Sequence, residues 1–203
     1  MNIQVRELDN GYTQCADLNR LSSEKGEGLI NNLKLDITNL KQHWKGTDAT
    51  EHINNLIKVR NAMIALVTDA KAVTAGAGNA IIAIQEVRRA NGGAGEVGSP
   101  LPGNAPDAEV IPNAEATTEY YCVPEAKTDF LLLEQICSDY SVFRNNFNQQ
   151  KTDLLNNWTA GAGREKAVQV FTDFETNSET YNKYLTEARE NLGIAVNNIS
   201  KLG

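Results

Sequence analysis

The stretch NLKQHWKGTDATEHINNL, residues 39–56 of this 203-residue chain, interrupts two long helical patterns at one point. Before and after it, apolar residues recur every three or four positions, which is the spacing of an amphipathic helix. Trp44-Lys45-Gly46 lies at the interruption, and glycine readily adopts the positive φ with which helices end. Thr47 or Asp48 can cap the helix that follows. We therefore predict a helical hairpin whose turn is Trp44–Gly46.

The same apolar spacing runs through most of the chain. Four stripes of apolar residues occur, at 29–44, 49–84, 130–158 and 167–202. No stretch shows the sustained two-residue alternation that is typical of a strand. The sequence predicts an all-α protein with the order helix, break, helix, linker, helix, break, helix.

The linker and the second break divide the chain into two similar halves. Residues 91–124 contain all five prolines and many glycines, which is typical of a long loop. The second break, at Trp158-Thr159-Ala160-Gly161, again combines a tryptophan with a glycine. We predict a first helical hairpin over residues 1–90, a linker over 91–124 and a second hairpin over 125–203.

Each tryptophan can be interpreted in two ways. The indole of Trp44 or Trp158 can pack as the last core residue and seal the end of its hairpin. Alternatively, the tryptophan and its loop, with Gly46 or Gly161, can present a recognition surface to another protein.

The tripeptide Trp44-Lys45-Gly46 between two long amphipathic helices resembles the WXG family of early-secreted-antigen-like proteins. This family is exported by type VII secretion systems of Gram-positive bacteria and mycobacteria. The resemblance covers residues 9–90 and, less closely, residues 125–202, where the glycine follows Trp158 by three positions rather than two. The chain therefore looks like a tandem copy of this family.

The resemblance implies a fold, partners and a signal. Family members pair as antiparallel hairpins in four-helix bundles, so this chain is expected to be a fused pseudo-dimer. The resemblance also implies that the chain is a secreted substrate or a co-exported adaptor. Its partner would be another helical protein or the secretion machinery, and self-association stays open. The family's export signal is a tyrosine followed four positions later by an acidic residue. Tyr121 and Glu125 have this spacing, although an ordinary linker tyrosine is the alternative interpretation.

Charge and the N-terminal residues restrict the partners and the compartment. The chain has 19 basic and 26 acidic residues, a net charge of −7, and its basic residues are scattered. Nucleic acids bind mainly through neutralisation of phosphates by Lys and Arg, so we expect no nucleic-acid partner. The first residues, MNIQVRELDNGY, carry charges where a secretory signal needs an apolar core. We expect synthesis in the cytoplasm, with any secretion proceeding without a cleaved signal peptide.

No residue pattern predicts catalysis, a metal site or a cofactor. His43 and His52 flank the first turn with no cysteine or paired carboxylate at ligand spacing, so we expect them to cap a helix or face solvent. The inward positions of the stripes offer basic and phenolic side chains without a carboxylate or histidine, which is a poor set for acid–base chemistry. We predict a non-enzymatic protein.

The competing hypothesis is a membrane-active helical protein that inserts its Ala/Ile-rich segment, residues 62–84. Asp69 and Lys71 interrupt this segment, which leaves no apolar run near the ~20 residues that a membrane span requires. We therefore favour a buried helix here and expect no membrane partner.

Overall fold

The computed structural model describes residues 3–106 and 108–199, and it is predominantly helical, which confirms the all-α prediction. Its helices are α1 (Leu8–Leu21), α2 (Glu27–His43), α3 (Thr47–Ala90), α4 (Ala126–Asn157) and α5 (Ala162–Ile199). A π-helical turn, Ser22–Gly26, joins α1 to α2 without a break. Apart from this turn, the order of helices, breaks and linker is the predicted one.

The two breaks between helices have the same backbone geometry. Gly46 precedes α3 with a φ of 128°, and Gly161 precedes α5 with a φ of 122°, in a region that residues with side chains rarely adopt. The carbonyl of each glycine then accepts a 2.9 Å hydrogen bond from the first turn of the next helix, from Thr50 N and Arg164 N respectively. The positive φ predicted at Gly46 is confirmed.

The described residues also form four very short strands, which were not predicted. They are β1 (Gln4–Val5), β2 (Trp44–Lys45), β3 (Tyr121–Cys122) and β4 (Trp158–Ala160). β1 pairs antiparallel with β4, with Val5 opposite Trp158, and β2 pairs antiparallel with β3, with Trp44 opposite Cys122. Two or three residues are too few to show an alternating pattern, so the periodicity of the sequence carries no sign of them.

The chain forms two compact units, each assembled from separate segments. The first unit comprises Met1–Glu27, Ile64–Asp107 and Phe143–Thr176, and the second comprises Gly28–Met63, Ala108–Val142 and Asn177–Gly203. Helices α3, α4 and α5 contribute a part to each unit. Both units therefore draw on both predicted hairpins and on the linker.

In the first unit, α1 runs antiparallel to its part of α3. Asn19 Nδ2 donates to Thr74 Oγ1 at 2.9 Å, and Gln85 Nε2 donates to Asp9 Oδ1 at 2.9 Å. The buried ammonium of Lys71 is compensated by a 2.6 Å ion pair with Glu27. These polar contacts fix the register of the helices around an apolar core.

The first unit also contains an aromatic cluster. The ring of Phe147 lies 5.6 Å from Phe143, 5.5 Å from Phe171 and 5.3 Å from Phe174, measured between ring centroids. Tilted and edge-to-face rings at these distances stabilise a core beyond their buried area. The cluster joins α4 to α5.

In the second unit, α4 and α5 are antiparallel. Tyr140 OH donates to the carbonyl of Ser178 at 3.1 Å, and a β-carbon on Gly193 would lie 3.0 Å from the ring of Phe130. The buried residues of α2 and α3 in this unit are mainly aliphatic. They include Leu33, Ile37, Leu40, Ile53, Leu56 and Met63.

The linker packs on the helices within each unit. Outside β3, its described residues form no helix or strand. In the first unit, Tyr12 OH donates to the carbonyl of Ser99 at 2.7 Å, and the side chain of Leu101 packs against Gly78. The linker is thus an extended segment with specific contacts.

Candidate interaction surfaces at the tryptophan turns

The Trp44 turn is built around a buried indole. Only 2% of Trp44 is exposed, and its ring stacks on His52 with 5.8 Å between centroids and an angle of 7° between planes. A side chain with so little exposed area cannot offer a contact surface without rearrangement. The burial of Trp44 supports its interpretation as a core residue that seals the hairpin.

Tyrosines form the exposed part of the same turn. Tyr120 covers Gly46, and 66% of Tyr120 is exposed. Tyr121, 40% exposed, lies opposite Lys45 in the β2–β3 pair. Tyrosine is enriched at protein interfaces because it combines an apolar ring with a polar hydroxyl group. The tyrosines, rather than the indole, are available to a partner at this turn.

The Trp158 turn repeats this construction in the first unit. Trp158 is fully buried, and its Nε1 donates to the carbonyl of Ala160 at 3.1 Å. Its own carbonyl accepts a hydrogen bond from Arg164 Nε. Thr159 Oγ1 donates to the carbonyl of Gln4 at 3.1 Å, which supports the β1–β4 pair. The longer spacing to Gly161 therefore leaves the tryptophan equally buried.

Equivalent backbone hydrogen bonds flank the two tryptophans. Asn157, just before Trp158, accepts from Arg6 N at 2.9 Å, and Arg6 directly follows β1. His43, just before Trp44, accepts from Val123 N at 3.0 Å, and Val123 directly follows β3. In each unit, the strand that precedes the first helix of one hairpin pairs with the tryptophan turn of the other hairpin.

The six predicted site residues fall into two groups. Trp44, Gly46, Tyr121 and Glu125 belong to the second unit, and the β2–β3 pair brings Tyr121 to the Trp44 turn. Trp158 and Gly161 belong to the first unit.

The suggested export signal lies at the junction between the linker and α4. Tyr121 is in β3, and exposed Glu125 directly precedes α4. Their spacing of four therefore does not place them on one face of a helix.

A buried polar group near the Trp44 turn was missed by the sequence analysis. Asp36 and Asp129 are both buried, and His43 Nδ1 lies 2.6 Å from Asp129 Oδ2. The expectation that no inward position carries a carboxylate was wrong. His43 keeps 26% of its side chain exposed, and its ring also binds the buried Asp129, which was not expected. Asp36 lies beside the recognised stripe of α2, and Asp129 is in the first turn of α4, so neither falls on an obvious apolar repeat.

Asp36 is unusual because its charge would be uncompensated. Neither carboxylate oxygen has a hydrogen-bond partner among the described residues. Burial, with a further contribution from the carboxylate of Asp129, raises the pKa of Asp36 to about 8. The residue is therefore mostly protonated at neutral pH. Within the described residues, no group of three or more His, Cys, Asp or Glu side chains is arranged to hold a metal ion.

The segment proposed for membrane insertion, residues 62–84, is part of α3. Its apolar side chains include Met63, Val67 and Ile81, all fully buried. In the part of the chain that the structure describes, no helix combines the length and hydropathy needed to cross a membrane.

Comparisons of the chain with protein-family models, with curated proteins and with solved structures find no match.

Proposed function

We propose that this chain is a non-enzymatic helical protein of a type VII secretion pathway, where it acts as a secreted substrate or as an adaptor co-exported with a partner. The observation that carries the proposal is the doubled tryptophan turn. Both turns have a buried tryptophan, a glycine with positive φ and a paired strand, as Trp44–Gly46 and Trp158–Gly161 illustrate. The resemblance to the WXG family rests on this feature of the sequence.

We further propose that the hairpins of residues 1–90 and 125–203 pack as an antiparallel four-helix bundle, a fused equivalent of a two-chain dimer. A two-fold dimer uses each interface contact twice, once in each direction. The strand pairs support such an origin, because each turn pairs with the strand that precedes the other hairpin. The equivalent hydrogen bonds to the carbonyls of His43 and Asn157 support it further.

The partner is proposed to be another helical protein, a component of the secretion machinery or a second copy of the chain. Tyr120 and Tyr121 are the exposed side chains at the first turn that suit such a contact. Their phenol rings can be buried against a partner while their hydroxyl groups keep hydrogen bonds at its rim.

The proposal is tested by following the tagged chain in the bacterium that encodes it, with and without the membrane ATPase of the secretion system. The culture supernatant and the cell pellet are immunoblotted, and proteins bound to the chain in the pellet are identified. We expect the chain or its bound partner to reach the supernatant only when the ATPase is present. Unchanged export of both would contradict the proposal.

Two double variants test whether the exposed tyrosines of the first turn bind the partner. Tyr120→Ala/Tyr121→Ala removes the exposed rings at the turn and is expected to reduce recovery of the partner. Leu131→Ala/Val142→Ala removes two exposed apolar side chains of α4 and serves as the matched control.

A further inference from the structure

Part of the linker, residues 108–120, lies on α2 and α3 within the second unit and is termed the strap. The helices hold it mainly through its main chain. Arg60 Nη1 donates to the carbonyl of Glu109 at 2.9 Å, and Asn54 Oδ1 accepts from Ala114 N at 2.8 Å. Thr50 Oγ1 donates to the carbonyl of Glu115 at 3.3 Å. Contacts of this kind recognise an extended backbone and depend little on the side chains of the bound segment.

The strap buries few of its own side chains. Val110 is 84% exposed, and Glu109, Pro112 and Asn113 are also exposed. Since the hydrophobic contribution to binding scales with the apolar area removed from water, this contribution is small for the strap. Its attachment rests on a few polar contacts that water can replace.

The surface beneath the strap is cationic. Lys34 forms an ion pair with Glu109, and Lys41 Nζ donates to the carbonyl of Pro112. Burial lowers the pKa of Lys41, and repulsion from the nearby ammonium group of Lys45 lowers it further. Lys45 has no ion-pair partner in the described ranges. This local positive charge, in a chain with a net charge of −7, favours an acidic ligand.

A cavity of about 270 Å³ lies between the strap and the helices. Its lining includes Trp44, Lys45 and Ile53 on the helix side and residues 112–115 on the strap side. The strap therefore leaves unfilled space against the groove, and a different segment could occupy it with larger side chains.

We propose that the α2–α3 face under the strap is a binding groove for an extended, acidic segment of a partner protein, and that the strap is an intramolecular ligand that occupies this groove in the free chain. The strap is itself such a segment, since it is extended and carries Glu109 and Glu115. The proposal does not depend on the secretion pathway. A tethered ligand has an effective concentration near the millimolar range, so the partner must compete with the strap.

The test uses a labelled peptide of residues 108–116, AEVIPNAEA, and fluorescence anisotropy. The receptor is the full chain in which residues 108–116 are replaced by a Gly/Ser sequence of equal length. We expect saturable binding to this receptor and at least tenfold weaker binding to the intact chain, whose groove is filled. Absence of saturable binding to a receptor with native helical circular dichroism would overturn the proposal, as would equal affinity for both proteins.

Matched variants of the receptor locate the binding site. Lys34→Glu/Asn54→Ala removes an ion-pair partner and an acceptor in the groove, and it is expected to weaken binding at least tenfold. Lys183→Glu/Asn191→Ala makes the same two changes on α5 and should leave the affinity within twofold. Equal losses in both variants would show that the peptide binds elsewhere.

Two further experiments test whether the ligand must be acidic and provide a second receptor. A peptide with glutamine at both glutamates should bind at least threefold more weakly, and unchanged affinity would refute an acidic ligand. If the Gly/Ser receptor does not fold, Glu109→Lys/Ala114→Pro releases the strap at two points only and replaces it in all measurements.

Discussion

The ring of Tyr120 covers Gly46 so closely that a β-carbon at residue 46 would lie 2.9 Å from Cδ2 of Tyr120. The glycine also has a φ of 128°. The backbone conformation thus favours glycine at the first turn, and a side chain at residue 46 would also displace the ring of Tyr120. Gly46→Ala is expected to lower the free energy of unfolding by about 1–3 kcal/mol, the range for a residue with a side chain held in a rare conformation.

Urea denaturation measures the free energy of unfolding of Gly46→Ala, with Gly28→Ala as the matched control. Gly28 lies in α2 with open space around its α-carbon. Alanine there should stabilise the fold by up to about 1 kcal/mol because it favours the helix. Equal effects of both variants would show that the first turn does not depend on its glycine.

Both tryptophans are predicted to contribute to stability. Replacement of a buried tryptophan by alanine removes many packing contacts and leaves a cavity, at a cost of roughly 3–5 kcal/mol. We expect Trp44→Ala and Trp158→Ala to show losses in this range by thermal and urea unfolding. An unchanged stability together with lost partner binding would instead identify the indole as a recognition residue.

The stability of the protein should depend on pH through Asp36. Its pKa is about 8 in the folded state, well above the ~3.9 of an ordinary aspartate. Between these pH values the folded chain holds a proton that the unfolded chain has lost. The contribution of Asp36 to the free energy of unfolding is therefore fully present below about pH 4, and it falls by about 1.4 kcal/mol for each pH unit up to about pH 8.

Asp36→Asn removes this dependence because the amide stays neutral. Relative to the native chain, the variant should gain roughly 3 kcal/mol in unfolding free energy between pH 5 and pH 7. Asp139→Asn, at a half-buried carboxylate on α4 that accepts a hydrogen bond from Gln135, is the control and should show no such gain. Parallel pH profiles for the native chain and Asp36→Asn would disprove the prediction.

The export-signal hypothesis makes a separate prediction about the linker. Tyr121→Phe and Glu125→Gln should each reduce ATPase-dependent export while leaving the unfolding temperature within about 2 °C, because surface substitutions usually change stability little. Their neighbours Tyr120→Phe and Glu119→Gln make the same chemical changes and should not affect export. Equal export of all four variants would favour an ordinary linker tyrosine at residue 121.

The sequence predicted the helices and turns because these depend on local information. The spacing of apolar residues and the glycines at 46 and 161 can be read directly from the sequence. The β1–β4 and β2–β3 pairs depend instead on which distant segments meet, and two-residue strands carry no periodic signal. Asp36 was missed for a related reason, since its burial is decided by the surface that α4 presents to α2.

The contacts of the strap could not be predicted either. Its sequence is rich in residues typical of loops, and it is held by side chains of α2 and α3 that bind its main chain. A main-chain contact leaves no pattern in the sequence of the bound segment. The composition of the linker therefore predicted its irregular backbone and not its position in the groove.

The reciprocal pairing of each turn with the strand before the other hairpin is tested most directly by disulfide trapping. With native cysteines replaced by serine, one variant carries Lys45→Cys/Tyr121→Cys and another Gln4→Cys/Ala160→Cys, at positions that are opposite in the strand pairs. Opposite residues in antiparallel strands lie close enough for a disulfide. We predict that mild oxidation links both pairs within a single chain, as shown by intact mass and peptide mapping. Cross-links that form only between chains, or at only one of the two turns, would contradict the account of a duplicated turn within one protein.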